Sequence, residues 1–69
     1  MFDVRGKRCP QTALAVSKEL KKLSPGEILE VLTDDPLASI DLGVLAFHLG
    51  CEVISERQDE YKIINIIKR

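Results

Sequence analysis

The chain has little of what many functional classes require. Its 69 residues include no Trp, one Tyr and two Phe, too few aromatics for a platform on which nucleic-acid bases could stack. One His and two Cys make at most three of the three or four ligands that zinc takes. They also rule out the disulfide-dense scaffolds of small secreted domains. His48 and Cys51 stand three apart, but no third His or Cys lies near them, and no metal is expected. No apolar run approaches the roughly 18 residues of a membrane-spanning helix, and no leader pattern opens the chain. The expectation is therefore a cytoplasmic protein with reduced thiols and no membrane partner. The four Gly are scattered, with no glycine-rich phosphate loop, internal repeat or linker among them.

What is present is an ordinary globular composition, 45% hydrophobic and 30% charged. The length suits one domain over residues 1–69. A chain of this size buries only about 60% of its unfolded surface, so its core is thin. The net charge of −1 is unevenly spread. Residues 1–24 carry six Lys or Arg against Asp3 and Glu19, and residues 25–69 carry four against nine Asp or Glu. The basic half should favour an acidic partner surface or a small anion. Given the overall balance and the few aromatics, nucleic acid is not an expected partner.

Periodicity divides the chain into six elements. Met1–Val4 reads as a strand and residues 5–8 as a loop. The sequence is helical from Pro10 to Leu23, with Ala13, Val16, Leu20 and Leu23 on an apolar face that Leu14 widens. Ser24-Pro25-Gly26 ends that helix. Glu27–Thr33 alternates as a strand, so the first three elements form a βαβ unit with parallel strands and a right-handed crossover. Asp34-Asp35-Pro36 resembles a helix cap followed by a proline at the first helical position. The second helix runs to Leu49, with Leu37, Ile40, Val44 and Phe47 as the expected core face and Gly50 as its terminator. Cys51–Arg57 and Tyr61–Lys68 form a hairpin around a short polar turn. The last strand has Ile on both faces and belongs inside the sheet. The fold class is therefore α/β, a βαβαββ two-layer sandwich with two helices on one face. Its four-stranded mixed sheet has the order 1-2-4-3, with strand 4 antiparallel.

Cys9 stands where the first strand turns into the first helix. With Pro10 at the first helical position, Cys9 is the expected N-cap. The free N–H groups and positive end of a helix stabilise a thiolate, which is the nucleophilic form. Arg5, Lys7 and Arg8 add positive charge, and Gly6 supplies the turn. Thr12 contributes a second N–H beside that of Gln11. The carboxyl ends of strands 1 and 2 lie side by side, so the loop around Cys9 and the Asp34-Asp35-Pro36 loop should share one surface. Asp34 and Asp35 read as capping or docking residues, since nothing in the sequence buries them as acid–base catalysts would require. Cys51 belongs to the opposite edge, too far away to bridge Cys9, and reads as a core residue.

The opening Asp3, Arg5, Gly6, Cys9, Pro10 resembles the DxRGxxCP segment of the TusA/SirA-like sulfur carriers. Gly26-Glu27 and then Asp34-Asp35-Pro36, Ala38 and Asp41 match that family's GE and DDPxAxxD segments in order. The resemblance spans nearly the whole chain. The family's second proline, as in CPxP, is Thr12 here. The resemblance implies the same two-helix, four-strand fold and a cysteine, Cys9, that carries sulfur as a persulfide. Implied partners are a sulfur donor of the cysteine desulfurase or rhodanese type and an acceptor relay protein, with no cofactor. Such a chain is a sulfurtransferase in the broad sense. The alternative is a non-catalytic interaction or regulatory module with a structural Cys9. Ile28 and Leu32, joined by one Ile pair of strand 4, would make the helix-free sheet face apolar, a surface for weak homodimerisation or docking.

Overall fold

The fold is that of a computed structural model, which describes residues 1–8 and 10–69. The elements follow as β1 (Phe2–Asp3), α1 (Gln11–Lys22), β2 (Ile28–Thr33), α2 (Ala38–His48), β3 (Cys51–Gln58) and β4 (Lys62–Lys68). They form the expected βαβαββ two-layer α/β fold, with sheet order β1-β2-β4-β3. β1 and β2 are parallel, with Phe2 opposite Val31. β4 runs antiparallel to both its neighbours, with Val31 opposite Ile64 and Val53 opposite Ile66. β4 takes the interior because its alternating Ile side chains can bury on one face while still covering the other.

The helix-side core contains Val4, Val31, Ile64 and Ile66 from the sheet, Val16 and Leu20 from α1, and Ala38, Leu42 and Ala46 from α2. Each fully buried large aliphatic contributes about 1.5–3 kcal/mol. Turns lock the ends of the elements. Glu27 N–H reaches Ser24 O at 3.1 Å across Pro25 and Gly26, and Gly26 takes φ 93°, where a Cβ would be strained. Gly50, at φ 71°, ends α2 as expected.

Two helix faces differ from expectation. On α1, Thr12 is buried beside Val16 and Leu20, and Leu14 points to solvent at 58% exposure. On α2, the core face is Ala38, Leu42 and Ala46, with Leu45 and Leu49 packed beside it. Leu37, Ile40, Val44 and Phe47, the expected core face, are all exposed. The physical reason is size. The sheet side of the core holds bulky Ile and Val, and the small Ala38 and Ala46 on the buried side of α2 let the helix axis approach the sheet closely.

β3 carries a register shift between Val53 and Ser55, with Ile54 as the extra residue. Such a bulge changes which face the following residues present. Ser55 therefore pairs with Asn65, whose side chain donates to Ser55 Oγ at 2.8 Å. Glu56 swings beneath α2 to bond Ser39. On the helix-free face, the register sets Ile28 opposite Ile67 and Leu32 opposite Ile63, with Glu30 and Asn65 between them.

Candidate functional site

Chain connectivity brings the loops after β1 and β2 to one edge, because both strands end there before entering a helix. The first loop is a tight turn. Lys7 N–H donates to Val4 O at 3.2 Å, and Gly6 takes φ 84°, a conformation that favours glycine. The turn is tied to the second loop through Asp34. Its Oδ1 accepts from Gly6 N–H at 3.0 Å and from Arg8 Nη1 at 2.9 Å. These contacts hold the Asp34 carboxyl below its ordinary range, chiefly through the Gly6 N–H and then through the Arg8 guanidinium.

Asp35 plays a different part. It is only 2% exposed, so the expectation of an unburied carboxylate is corrected. Its N–H donates to Thr33 Oγ1 at 3.1 Å, and its Oδ1 accepts from Leu37 N–H at 3.0 Å. Ala38 N–H closes onto Asp35 O at 3.1 Å. The Asp35 side chain thus closes a turn at Pro36 and Leu37 that precedes α2, whose N-cap is Leu37 with no side-chain cap, rather than capping a helix with Pro36 inside it.

Arg5 is clamped at the same edge. Its Nε and Nη2 grip the Asp3 carboxylate at 3.0 and 2.7 Å, and its backbone N–H adds a bond of 2.9 Å. Asp3 is held down at about 2, first by the side-chain hydrogen bond from Arg5. Arg5 is correspondingly raised, by Asp3 first and Tyr61 second. The guanidinium carbon stacks 4.7 Å from the centre of the Tyr61 ring. Sequence reasoning passed over Tyr61. The signal was available in the topology, since an antiparallel β4 begins at the edge where β1 and β2 end.

The three basic residues therefore do not form an unopposed positive patch. Asp3 pairs with Arg5 and Asp34 with Arg8. Lys7 is exposed and makes no ion pair among the described residues. The halves of the sequence had suggested a basic surface, but the fold returns acidic residues of the second half to the first loop. Asp3, Arg5, Gly6, Lys7, Asp34 and Tyr61 line an open cleft of about 550 Å³ at this edge. A second cleft, with Gln58, Glu60 and Lys62 on its far wall, continues from Asp34 and Tyr61.

Cys9 lies outside the described residues, and so does its expected place as N-cap. Its neighbours Arg8 and Pro10 belong to the same loop. Pro10, expected inside α1, instead flanks it, at φ −93° and ψ 2°. The reason is a tighter first turn: Gln11 N–H bonds Arg8 O at 2.7 Å, and Thr12 N–H reaches the same oxygen at 3.3 Å. The two donors expected to face a sulfur thus have a backbone acceptor. Thr12 Oγ1 is buried with no hydrogen-bond partner among the described residues.

Cys51 is buried at the start of β3, with its thiol toward Leu49 O at 3.7 Å. Because β3 runs parallel to β1 and β2, that start is at the opposite edge, as expected. His48, at the carboxyl end of α2, is likewise remote from the loop edge.

The class of protein that the fold defines is a small two-layer βαβαββ domain in which the loop before α1 and the Asp-Asp-Pro loop are clasped together at one edge of the sheet. Within that class, residues 1–69 match the family described as Sulfurtransferase TusA, and the chain belongs to it. A relative from Archaeoglobus fulgidus, which bears the name "Putative sulfur carrier protein", is 32% identical over 65 residues, covering 94% of this chain and 84% of its own. Among the described residues, no helix is long and apolar enough to cross a membrane.

Proposed function

We propose that this TusA-family sulfur carrier accepts sulfur on Cys9 as a persulfide and hands it to an acceptor protein. The observation that supports this most is the clasp of Asp34 on Gly6 N–H and Arg8. It braces the loop that contains the family's CP dipeptide against the second loop, leaving that edge of the sheet open. In the loading step, the Cys9 thiolate attacks the outer sulfur of a donor persulfide. The new S–S bond forms as the donor's S–S bond breaks, and the donor leaves as a thiolate. In the unloading step, an acceptor thiolate attacks the outer sulfur on Cys9 and frees the Cys9 thiolate. Electrons balance in each step, so neither needs a redox cofactor.

The donor is a cysteine desulfurase or a rhodanese-type protein, and the acceptor is another relay thiol. Lys7, without an ion-pair partner among the described residues, is the cation best placed to meet an acidic partner surface. Arg5 and Arg8 act mainly by holding the loop in shape through Asp3 and Asp34. Asp35 and Pro36 fix the neighbouring loop. The test is passage of sulfur. Protein loaded by a desulfurase and freed of donor should contain cyanide-labile sulfur and surrender it to an acceptor thiol protein. Absence of labile sulfur in the wild type, or an equal amount in Cys9→Ser, would refute the proposal.

A further inference from the structure

The two clefts at the loop edge share Asp34 and Tyr61, so they form one groove. It crosses the ends of three neighbouring strands: the loop after β1, the loop after β2 and the turn that leads into β4. Most charges along it are answered within the chain. Asp3 pairs with Arg5, Asp34 with Arg8 and Lys62 with Glu56, and Asp35 is withdrawn from solvent at 2% exposure. Two exposed charges on the groove, Lys7 and Glu60, make no ion pair among the described residues. Lys7 lines the cleft at the β1 end and Glu60 the cleft at the β4 end. Between them stands Tyr61, half-buried. Its ring stacks against the Arg5 guanidinium at 4.7 Å and supplies the apolar middle of the groove. The groove is therefore cationic at one end, aromatic at its centre and anionic at the other end.

We infer that this groove holds an extended segment of the protein that exchanges sulfur with Cys9, with an acidic side chain at Lys7, an apolar one at Tyr61 and a basic one at Glu60. The identity of the partner rests on the sulfur exchange proposed above; the charge preference of the groove does not. The spacing suits an extended chain. Adjacent strands lie about 4.8 Å apart, so the two steps from β1 to β4 span about 10 Å. An extended chain rises about 3.3 Å per residue and turns residues i, i+2 and i+4 to one face. Residues i and i+4 are then about 13 Å apart, enough to cover the strand ends and the reach of the Lys7 and Glu60 side chains beyond them. Residue i+2 falls between the two, over Tyr61. The segment thus reads acidic, any, apolar, any, basic. Its acidic end is the one nearest the sulfur, because Lys7 precedes Cys9 by two residues in the chain. Exposed ion pairs hold weakly, up to about fivefold in affinity each. A charge of the wrong sign at either end is repelled, so the two ends select the partner more than they hold it.

Three end-blocked peptides test this: Asp-Ala-Leu-Ala-Lys, Asp-Ala-Leu-Ala-Asp and Lys-Ala-Leu-Ala-Lys. Each is titrated by NMR into the full chain carrying Cys9→Ser, which takes up no sulfur. The mixed-charge peptide should bind at least about fivefold more tightly than either like-charged one. Amide shifts should move at residues 5–8, 34 and 58–61. Adding Lys7→Glu leaves both ends anionic and should switch the preference to the peptide with two Lys. Adding Glu60→Lys leaves both ends cationic and should switch it to the peptide with two Asp. Equal affinity for the three peptides would overturn the inference. So would shifts confined to the helices or the open sheet face, or a preference that neither variant changes. Because the titrated protein carries no sulfur, such a failure refutes the groove alone, whereas absence of labile sulfur in the wild type refutes the persulfide on Cys9.

Discussion

Replacing Thr12 with Val should stabilise the protein. Thr12 is 1% exposed, and its hydroxyl has no hydrogen-bond partner among the described residues. A buried hydroxyl left unpaired costs about 1–3 kcal/mol. Val has nearly the same shape and a similar helix propensity, so the exchange opens no cavity and does not weaken α1. The Thr12 N–H bond to Arg8 O belongs to the backbone and survives the change. Taking the lower part of the range, Thr12→Val should gain about 1–2 kcal/mol. For a domain of this size, each kcal/mol raises Tm by about 4–8 °C. Urea unfolding should show a higher midpoint with an unchanged slope, since the buried surface is the same. Sulfur loading should be unaffected. A Thr12→Val protein of equal or lower stability would show that the hydroxyl has a partner in the folded state. If loading also fell, the partner would belong to the sulfur-bearing loop.

Three further predictions concern separate parts of the structure. Leu42→Ala, on the buried side of α2, should cost about 2–5 kcal/mol in urea unfolding, whereas Ile40→Ala on the outward side should cost no more than about 0.5 kcal/mol. Equal losses would contradict the assignment of the two faces. The Asp3 carboxyl should titrate near 2 by carbon-13 NMR and return toward 3.8 in Arg5→Gln. Because the folded value is depressed, its contribution to stability is complete above 3.8 and disappears as pH falls through about 2. A wild-type midpoint near 3.8 would mean the Arg5 clamp does not form in solution. Gly6→Ala should destabilise the loop by about 1 kcal/mol through its left-handed backbone, although no atom blocks the added Cβ. An unchanged Tm and unchanged sulfur uptake would contradict that strain.

Much of the fold could be read from local signals. Pro25-Gly26 and Gly50 marked the ends of the two helices, the β4 isoleucines placed that strand inside the sheet, and the resulting order brought two loops to one edge. What stayed hidden has physical causes. α2 is apolar all round, so its periodicity supports two stripes equally. The larger side chains drew the assignment outward, whereas close packing on Ile and Val of the sheet favours the stripe containing Ala38 and Ala46. Thr12 occupies the core although it is polar, and only the depth of α1 against the sheet decides that. The pairing of Arg8 with Asp34 spans 26 residues, so local composition suggested a basic surface where the fold builds a nearly balanced one. Tyr61 was one aromatic in a short strand until topology set it against Arg5.

The central claim is that sulfur rides on Cys9. Intact-protein mass spectrometry after incubation with a cysteine desulfurase and cysteine tests it most directly. Wild type and Cys51→Ser should each gain the mass of one sulfur atom, reversibly on treatment with a thiol reductant, and Cys9→Ser should gain none. A Cys9→Ser protein that still takes up the sulfur, or a wild type that never does, would contradict the account.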